Sequence, residues 1–144
     1  MVAGPSILCA AILLFGAAFH LYWGCGGRVG SSVALPQRGD GTQAFKSNRF
    51  GTILVAVFLV GCLGLVIALS VPIQLPVPQR WLRIAVVALS VLFLARALSW
   101  YKYVGLFKSI RTTRFAKYDT WLYSPLCLLL GLGLIGVALL SGPA

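Results

Sequence analysis

The chain has 144 residues, of which 60% are hydrophobic and only 10% carry a charge. Soluble domains contain about 25% charged residues, so the composition excludes a soluble enzyme, a disordered chain and a secreted disulfide scaffold. Twelve Lys and Arg residues against two acids give a net charge of +10. In a membrane protein this excess is first a topology signal. No nucleic-acid recognition motif accompanies it, so we predict no nucleic-acid partner.

Four apolar segments are each long enough for the ~20 helical residues that cross a bilayer. In chain order they cover about residues 6–24, 50–71, 81–101 and 120–140. Helix is the predicted state, because unpaired backbone groups are costly in lipid and no alternating ten-residue strand pattern occurs. The predicted fold is an all-α, four-helix transmembrane bundle, with residues 1–144 forming a single integral membrane domain.

The first segment could instead be a cleaved signal peptide. Such a peptide needs a basic region before its apolar stretch, and residues 1–6 contain no Lys or Arg. We therefore predict that the segment remains as a membrane span with its N-terminus translocated.

The basic residues predict the orientation. Cytoplasmic loops are enriched in Lys and Arg, and nine of the 12 basic residues lie in loops one and three, whereas the second turn has only Arg80 and Arg83. We predict that loops one and three are cytoplasmic, that both termini are outside, and that the cytoplasmic face contacts anionic lipid headgroups. The nine residues are Arg28, Arg38, Lys46, Arg49, Lys102, Lys108, Arg111, Arg114 and Lys117.

Residues 102–118 alternate bulky apolar and basic side chains. This pattern is typical of an amphipathic helix lying in the membrane interface. A ligand-binding lid is the alternative interpretation.

Polar residues within the spans are informative because each is costly in lipid. They crowd at the predicted cytoplasmic ends of the spans, whereas the external halves are almost purely apolar. Any binding site is therefore predicted to open toward the cytoplasm. The predicted ligand-binding residues are His20, Trp23, Arg96, Trp100, Asp119 and Tyr123.

Each of these residues also has a structural interpretation. His20 could make a local hydrogen bond, and the Trp and Tyr residues at span ends are typical of an aromatic belt. Arg96 could extend to the interface, stack on Trp100 or pair with Asp119. Asp119 could cap the fourth span, in which case Pro125 would kink the helix. Alternatively, the helix could start later, with Ser124 as its cap and Pro125 at its first position.

Several chemistries are not supported. One His and no carboxylate above Asp119 cannot build a metal cage or a bis-histidine haem site, so we predict no metal and no cofactor. No phosphate loop, nucleophile elbow or dinucleotide fingerprint occurs. The four cysteines form no Cys-x-x-Cys pair; they are Cys9, Cys25, Cys62 and Cys127.

Two stretches carry a family resemblance. Residues 20–27 read His-x-x-Trp-x-x-Gly-Gly and are followed by Ala34-Leu35-Pro36, and residues 114–127 contain Asp119 and a Tyr-Ser-Pro sequence. They resemble a bacterial family of small four-span membrane proteins known only as a domain of unknown function. The resemblance implies a fold, a multi-pass topology and a bacterial inner membrane, but no reaction. It also groups His20, Trp23, Asp119 and Tyr123 with the structural residues Gly26, Gly27 and Pro125.

Two functional hypotheses follow. The first is a non-catalytic membrane protein, such as an accessory subunit, that binds a lipid or a membrane protein partner through the cytoplasmic-side cluster. The second is a small enzyme acting on an isoprenoid or phospholipid, with His20 as general acid/base, Asp119 orienting it and Arg96 binding the anion. The second hypothesis requires His20 and Asp119 within hydrogen-bond reach or one water apart.

Overall fold

Four long helices form the protein, and each is long and apolar enough to cross a membrane. The structure, a computed structural model, describes residues 3–45, 48–72 and 75–141. The last span is continuous but contains a π-helical turn. The elements are α1 (Ala3–Gly24), α2 (Ser31–Ala34), α3 (Arg49–Ser70), α4 (Gln79–Leu98), α5 (Arg114–Tyr118), the π-helical turn (Asp119–Tyr123) and α6 (Ser124–Leu140).

The helices pack as a bundle in which α1 lies against α3 and α4 lies against α6, with further contacts between α1 and α6 and between α3 and α4. Small residues bring α4 and α6 close: Ser90 Oγ donates to the carbonyl oxygen of Gly131 at 2.8 Å. Close approach of this kind is the main source of helix association in lipid. The all-α bundle predicted from hydropathy is confirmed. Its most buried apolar side chains include Cys9, Leu13, Cys62, Val66, Val86, Leu134 and Val137.

Two span boundaries next to loop three differ from the prediction. α4 ends at Leu98 rather than near residue 101, so Trp100 lies beyond the helix. The last span begins at Arg114 rather than near residue 120. At the end of α4, backbone N–H groups of loop three bond to the carbonyls of Ala97 and Ser99. At the start of the last span, the Thr113 side chain caps the helix. Hydropathy does not detect such polar contacts.

Loops one and three meet at one end of the bundle. Phe115 N donates to Gln37 Oε1 at 3.1 Å, and Tyr123 Oη donates to the carbonyl oxygen of Val33 at 3.2 Å. We call this end, formed by residues 25–45 and 99–118, the basic end. At the opposite end Arg83 donates to the carbonyl oxygen of Ser141.

The prediction of an amphipathic helix over residues 102–118 is wrong for most of that segment. Only Arg114–Tyr118 is helical, and residues 99–113 form an irregular loop. The physical reason is that one of the basic side chains, Lys108, turns into the protein and is 1% exposed. An interfacial helix would instead keep its cations in the headgroup region.

Candidate functional site: a closed charge cluster at the basic end

Asp119 is fully buried at the start of the π-helical turn and accepts three hydrogen bonds. Arg96 Nη2 donates to Oδ1 at 2.7 Å. Lys108 Nζ at 3.0 Å and the backbone N–H of Gly105 at 2.9 Å donate to Oδ2. A carboxylate can be buried only when its charge and lone pairs are satisfied in this way. Of the three alternatives for Arg96, pairing with Asp119 is therefore the one that forms.

Lys108 is the cluster residue that sequence reasoning missed, because it was counted only as a loop charge. Its ammonium group has three N–H donors, and each has an acceptor. Besides Asp119, Nζ donates to the carbonyl oxygen of Gly105 at 3.0 Å and to Thr120 Oγ1 at 2.7 Å. Thr120 Oγ1 in turn donates to the carbonyl oxygen of Ala116 at 3.0 Å. No local pattern in the sequence signals that Lys108 is buried, since its neighbours alternate as on an exposed helix.

Loop three reaches this position by folding back over the end of α4. Gly105 has a φ of +94°, and a Cβ there would overlap the carbonyl oxygen of Ser99. Leu106 N donates to the carbonyl oxygen of Ala97 at 2.8 Å, and Phe107 N donates to that of Ser99 at 3.2 Å. These bonds satisfy carbonyls that the end of α4 leaves open. Glycine at position 105 thus allows the return that places Lys108 beside Asp119.

The π-helical turn lies immediately before Pro125 in the last span. A proline removes one helical hydrogen bond, and its ring clashes with the carbonyl four residues earlier. Here Ser124 N donates instead to the carbonyl oxygen of Asp119, five residues back. The wider turn accommodates the proline without ending the helix. Neither predicted start of the last span is correct. The helix begins at Arg114, before both Asp119 and Ser124, and it passes Asp119 in a π-helical turn.

His20 is not part of the charge cluster. Its Nδ1 donates to the carbonyl oxygen of Gly16, one turn earlier in α1, at 2.8 Å. Its ring packs edge-on against Trp23 with centroids 5.5 Å apart. Among the described residues the oxygens of Asp119 are bonded to Arg96, Lys108 and Gly105 rather than to His20. The direct His20–Asp119 hydrogen bond of the enzyme hypothesis is not formed.

Trp23, Gly26 and Gly27 form the turn that ends α1. Gly26 N donates to the carbonyl oxygen of Trp23 at 3.0 Å and Gly27 N to that of Tyr22 at 2.8 Å. With Gly26 at a φ of +98°, this pair of bonds is a Schellman motif. Trp23 Nε1 also donates to the carbonyl oxygen of Val29 at 2.7 Å. The His-x-x-Trp-x-x-Gly-Gly sequence therefore ends α1, and the hydrogen bond from the Trp23 indole holds the start of loop one against the end of the helix.

The two remaining predicted residues, Tyr123 and Trp100, lie in different surroundings. Tyr123 bonds to loop one, and its ring lies 6.0 Å from that of Phe115. Trp100 is 81% exposed. It borders an open groove of about 450 Å³ at the end of α4. The groove is lined by Ala95, Leu98, Ser99, Trp100, Tyr101 and Lys102.

Other titratable groups lie apart from the cluster. Asp40 is in an exposed turn of loop one, where hydrogen bonds from the hydroxyl and N–H groups of Thr42 lower the pKa of its carboxyl. Cys25 is exposed near the end of α1. In the described part of the chain, no group of three His, Cys, Asp or Glu side chains could hold a metal ion.

These features define a multi-pass membrane protein whose polar groups concentrate at the helix ends and loops. The model of a protein family of unknown function, DUF3995, matches residues 12–134, and the chain belongs to this family. The match includes both stretches that carry the resemblance described above, and it confirms the resemblance to a family of unknown function. Comparisons with curated proteins and with solved structures give no match.

Proposed function

We propose that the protein is a non-catalytic integral membrane protein that binds anionic lipids, or a membrane partner, through the outer surface of its basic end. The observation that carries this proposal is that the buried charges of this end are paired with one another, whereas its surface is rich in exposed cations and aromatic rings. The buried charges Arg96, Lys108 and Asp119 bond to one another. Around them, aromatic and cationic side chains project outward.

The cluster is better suited to holding the fold than to chemistry. General acid/base catalysis needs a group that can reach the reacting proton, and the side chain of Asp119 is 0% exposed. Its partners come from α4 and from loop three. Removing one partner of such a buried pair costs about 3–5 kcal/mol, so the cluster can fix α4, loop three and the last span together.

The exposed surface of the basic end matches a lipid headgroup region. Trp100 and Tyr101 are 81% and 62% exposed, and Trp121, just beyond this end in the π-helical turn, is 83% exposed. Aromatic rings of this kind are enriched at membrane interfaces. Cations near an anionic leaflet contribute about 1 kcal/mol each. The exposed cations of loop three and α5 are Lys102, Arg111, Arg114 and Lys117.

The excess of basic residues supports an orientation with the basic end in the cytoplasm and both termini outside. Lys46, one of the nine residues behind this inference, lies outside the described residues. A bacterial inner membrane is the proposed location, since it supplies the anionic headgroups that such an end would contact.

The proposal is tested by the lipids that the purified protein retains. We expect wild type, extracted in mild detergent from mixed phosphatidylglycerol and phosphatidylcholine bilayers, to retain phosphatidylglycerol preferentially by native mass spectrometry. Arg114→Glu with Lys117→Glu should reduce that preference severalfold, because two cations near the headgroups become anions.

Arg80→Glu is the matched control, since Arg80 is an exposed cation at the start of α4, away from the basic end. It should leave the preference unchanged. A wild type that retains both lipids in proportion to the bilayer, with no partner protein co-purifying, would contradict the proposal.

A further inference from the structure

We propose that the groove at the end of α4 binds one anionic phospholipid, with its phosphate at Lys102 and one acyl chain along the outer face of α4. This inference rests on the proposed function and names the place and ligand that it requires. The groove is open and has a volume of about 450 Å³, so a lipid in it would stay partly exposed to the surrounding bilayer.

The apolar wall of the groove continues into the membrane. Ala95 and Leu98 line the groove, and Val91 lies one helical turn before Ala95 on the same face, since residues four and seven apart align along a helix. Val91 is 61% exposed and Leu98 is 41% exposed, so neither is covered by the bundle. An acyl chain lying on this stripe would leave its headgroup at the mouth of the groove.

The rim of the groove offers hydrogen-bond donors. Trp100 and Tyr101 are exposed, and across the described residues neither the indole N–H nor the phenol hydroxyl has a hydrogen-bond partner. Lys102 Nζ lies over the ring of Tyr103, 5.6 Å from its centroid, with no carboxylate partner among the described residues. An indole, a phenol and an ammonium group together suit a phosphate, which only accepts at its charged oxygens.

Charge balance also favours an anion here. The buried cluster contains two cations, Arg96 and Lys108, but one carboxylate, Asp119, so one positive charge is left over. Arg96 Nη1 is buried and has no hydrogen-bond partner among the described residues. Arg96 belongs to the same helix end as the groove residues Ala95 and Ser99. A phosphate at the groove would place a negative charge at the same helix end as this excess positive charge.

The other acid cannot provide this compensation locally. The chain has two acids in all, and Asp40 lies in the exposed turn of loop one, hydrogen-bonded to Thr42. The remaining carboxylate, Asp119, is already shared between Arg96 and Lys108. An anion that is not part of the chain is therefore needed to neutralise the excess positive charge of this end.

The test counts phosphatidylglycerol molecules bound per chain by native mass spectrometry, with the full-length protein in nanodiscs of phosphatidylglycerol and phosphatidylcholine. We expect wild type to hold one phosphatidylglycerol at high occupancy. Lys102→Ala should weaken that binding about tenfold, as expected for loss of a charge-assisted hydrogen bond. Ala95→Trp should block the groove without changing any charge, and Arg80→Ala, which removes an exposed cation at the opposite end of α4, is the control.

The outcomes separate the groove from the general surface. Loss of the tightly held lipid in Lys102→Ala and Ala95→Trp but not in Arg80→Ala supports the groove. Equal loss in Lys102→Ala and in the variant with Arg114→Glu and Lys117→Glu, with no effect of Ala95→Trp, overturns it, while the proposed function of the basic end stands. A wild type without preference for phosphatidylglycerol overturns both. Helix content by circular dichroism verifies that each variant is folded.

Discussion

At the residue scale, the main feature is one carboxylate serving two cations inside a membrane protein. Asp119 accepts from Arg96 and Lys108 and from the backbone of Gly105. The two cations differ in surroundings, since the Lys108 side chain is 0% exposed and that of Arg96 is 31% exposed. The consequences of removing each charge therefore differ.

Asp119→Asn should destabilise the protein strongly, by about 3–5 kcal/mol, because it leaves two cations without a buried counter-charge. Lys108→Met should cost clearly less, because Asp119 keeps Arg96 and the N–H of Gly105, and the excess buried charge disappears. Thermal unfolding in detergent measures both.

Asp40→Asn serves as the control for removing an acid, since Asp40 is fully exposed. It should leave the unfolding temperature close to that of wild type. Equal losses for Asp119→Asn and Lys108→Met would contradict the proposed role of the carboxylate as the shared partner.

At the element scale, the spans could be predicted from the sequence and loop three could not. Hydropathy over 18 to 20 residues is sufficient to locate a transmembrane helix, and all four were found. The Gly26-Gly27 pair also carries a readable signal, since glycine just beyond a helix indicates a Schellman end. Sequence reasoning predicted a structural role for this pair without naming the motif.

The helix predicted for loop three does not form, although its side-chain pattern fits a helix, because the position of Lys108 is determined by a contact with residues distant in the sequence. Lys108 Nζ donates to Asp119 and Thr120, which lie beyond α5 in the π-helical turn. Gly105 alone breaks the helical interpretation, and a single glycine in a helical pattern is not decisive. Similarly, His20 and Asp119 share one predicted end of the bundle, but proximity along a span end does not determine which side chains bond.

At the scale of the whole molecule, the proposed orientation can be tested with a native cysteine. Cys25 is exposed at the basic end, whereas Cys9 and Cys62 are buried. If the basic end is cytoplasmic, a membrane-impermeant maleimide should label Cys25 in inverted membrane vesicles but not in intact cells.

Cys25→Ser identifies the labelled residue, since it should abolish the signal in inverted vesicles. Strong labelling of Cys25 in intact cells would contradict the orientation. It would also place the basic end on the outer side of the membrane, away from cytoplasmic headgroups.

The central claim is that the charged cluster is closed and that ligands meet only the outside of the basic end. Amine labelling of the folded wild type, analysed residue by residue by mass spectrometry, tests it most directly. The account predicts that Lys102 and Lys117, which are exposed, react readily while Lys108 stays protected until the protein is unfolded. Labelling of Lys108 in the folded protein as fast as of Lys102 would show an open site and contradict the account.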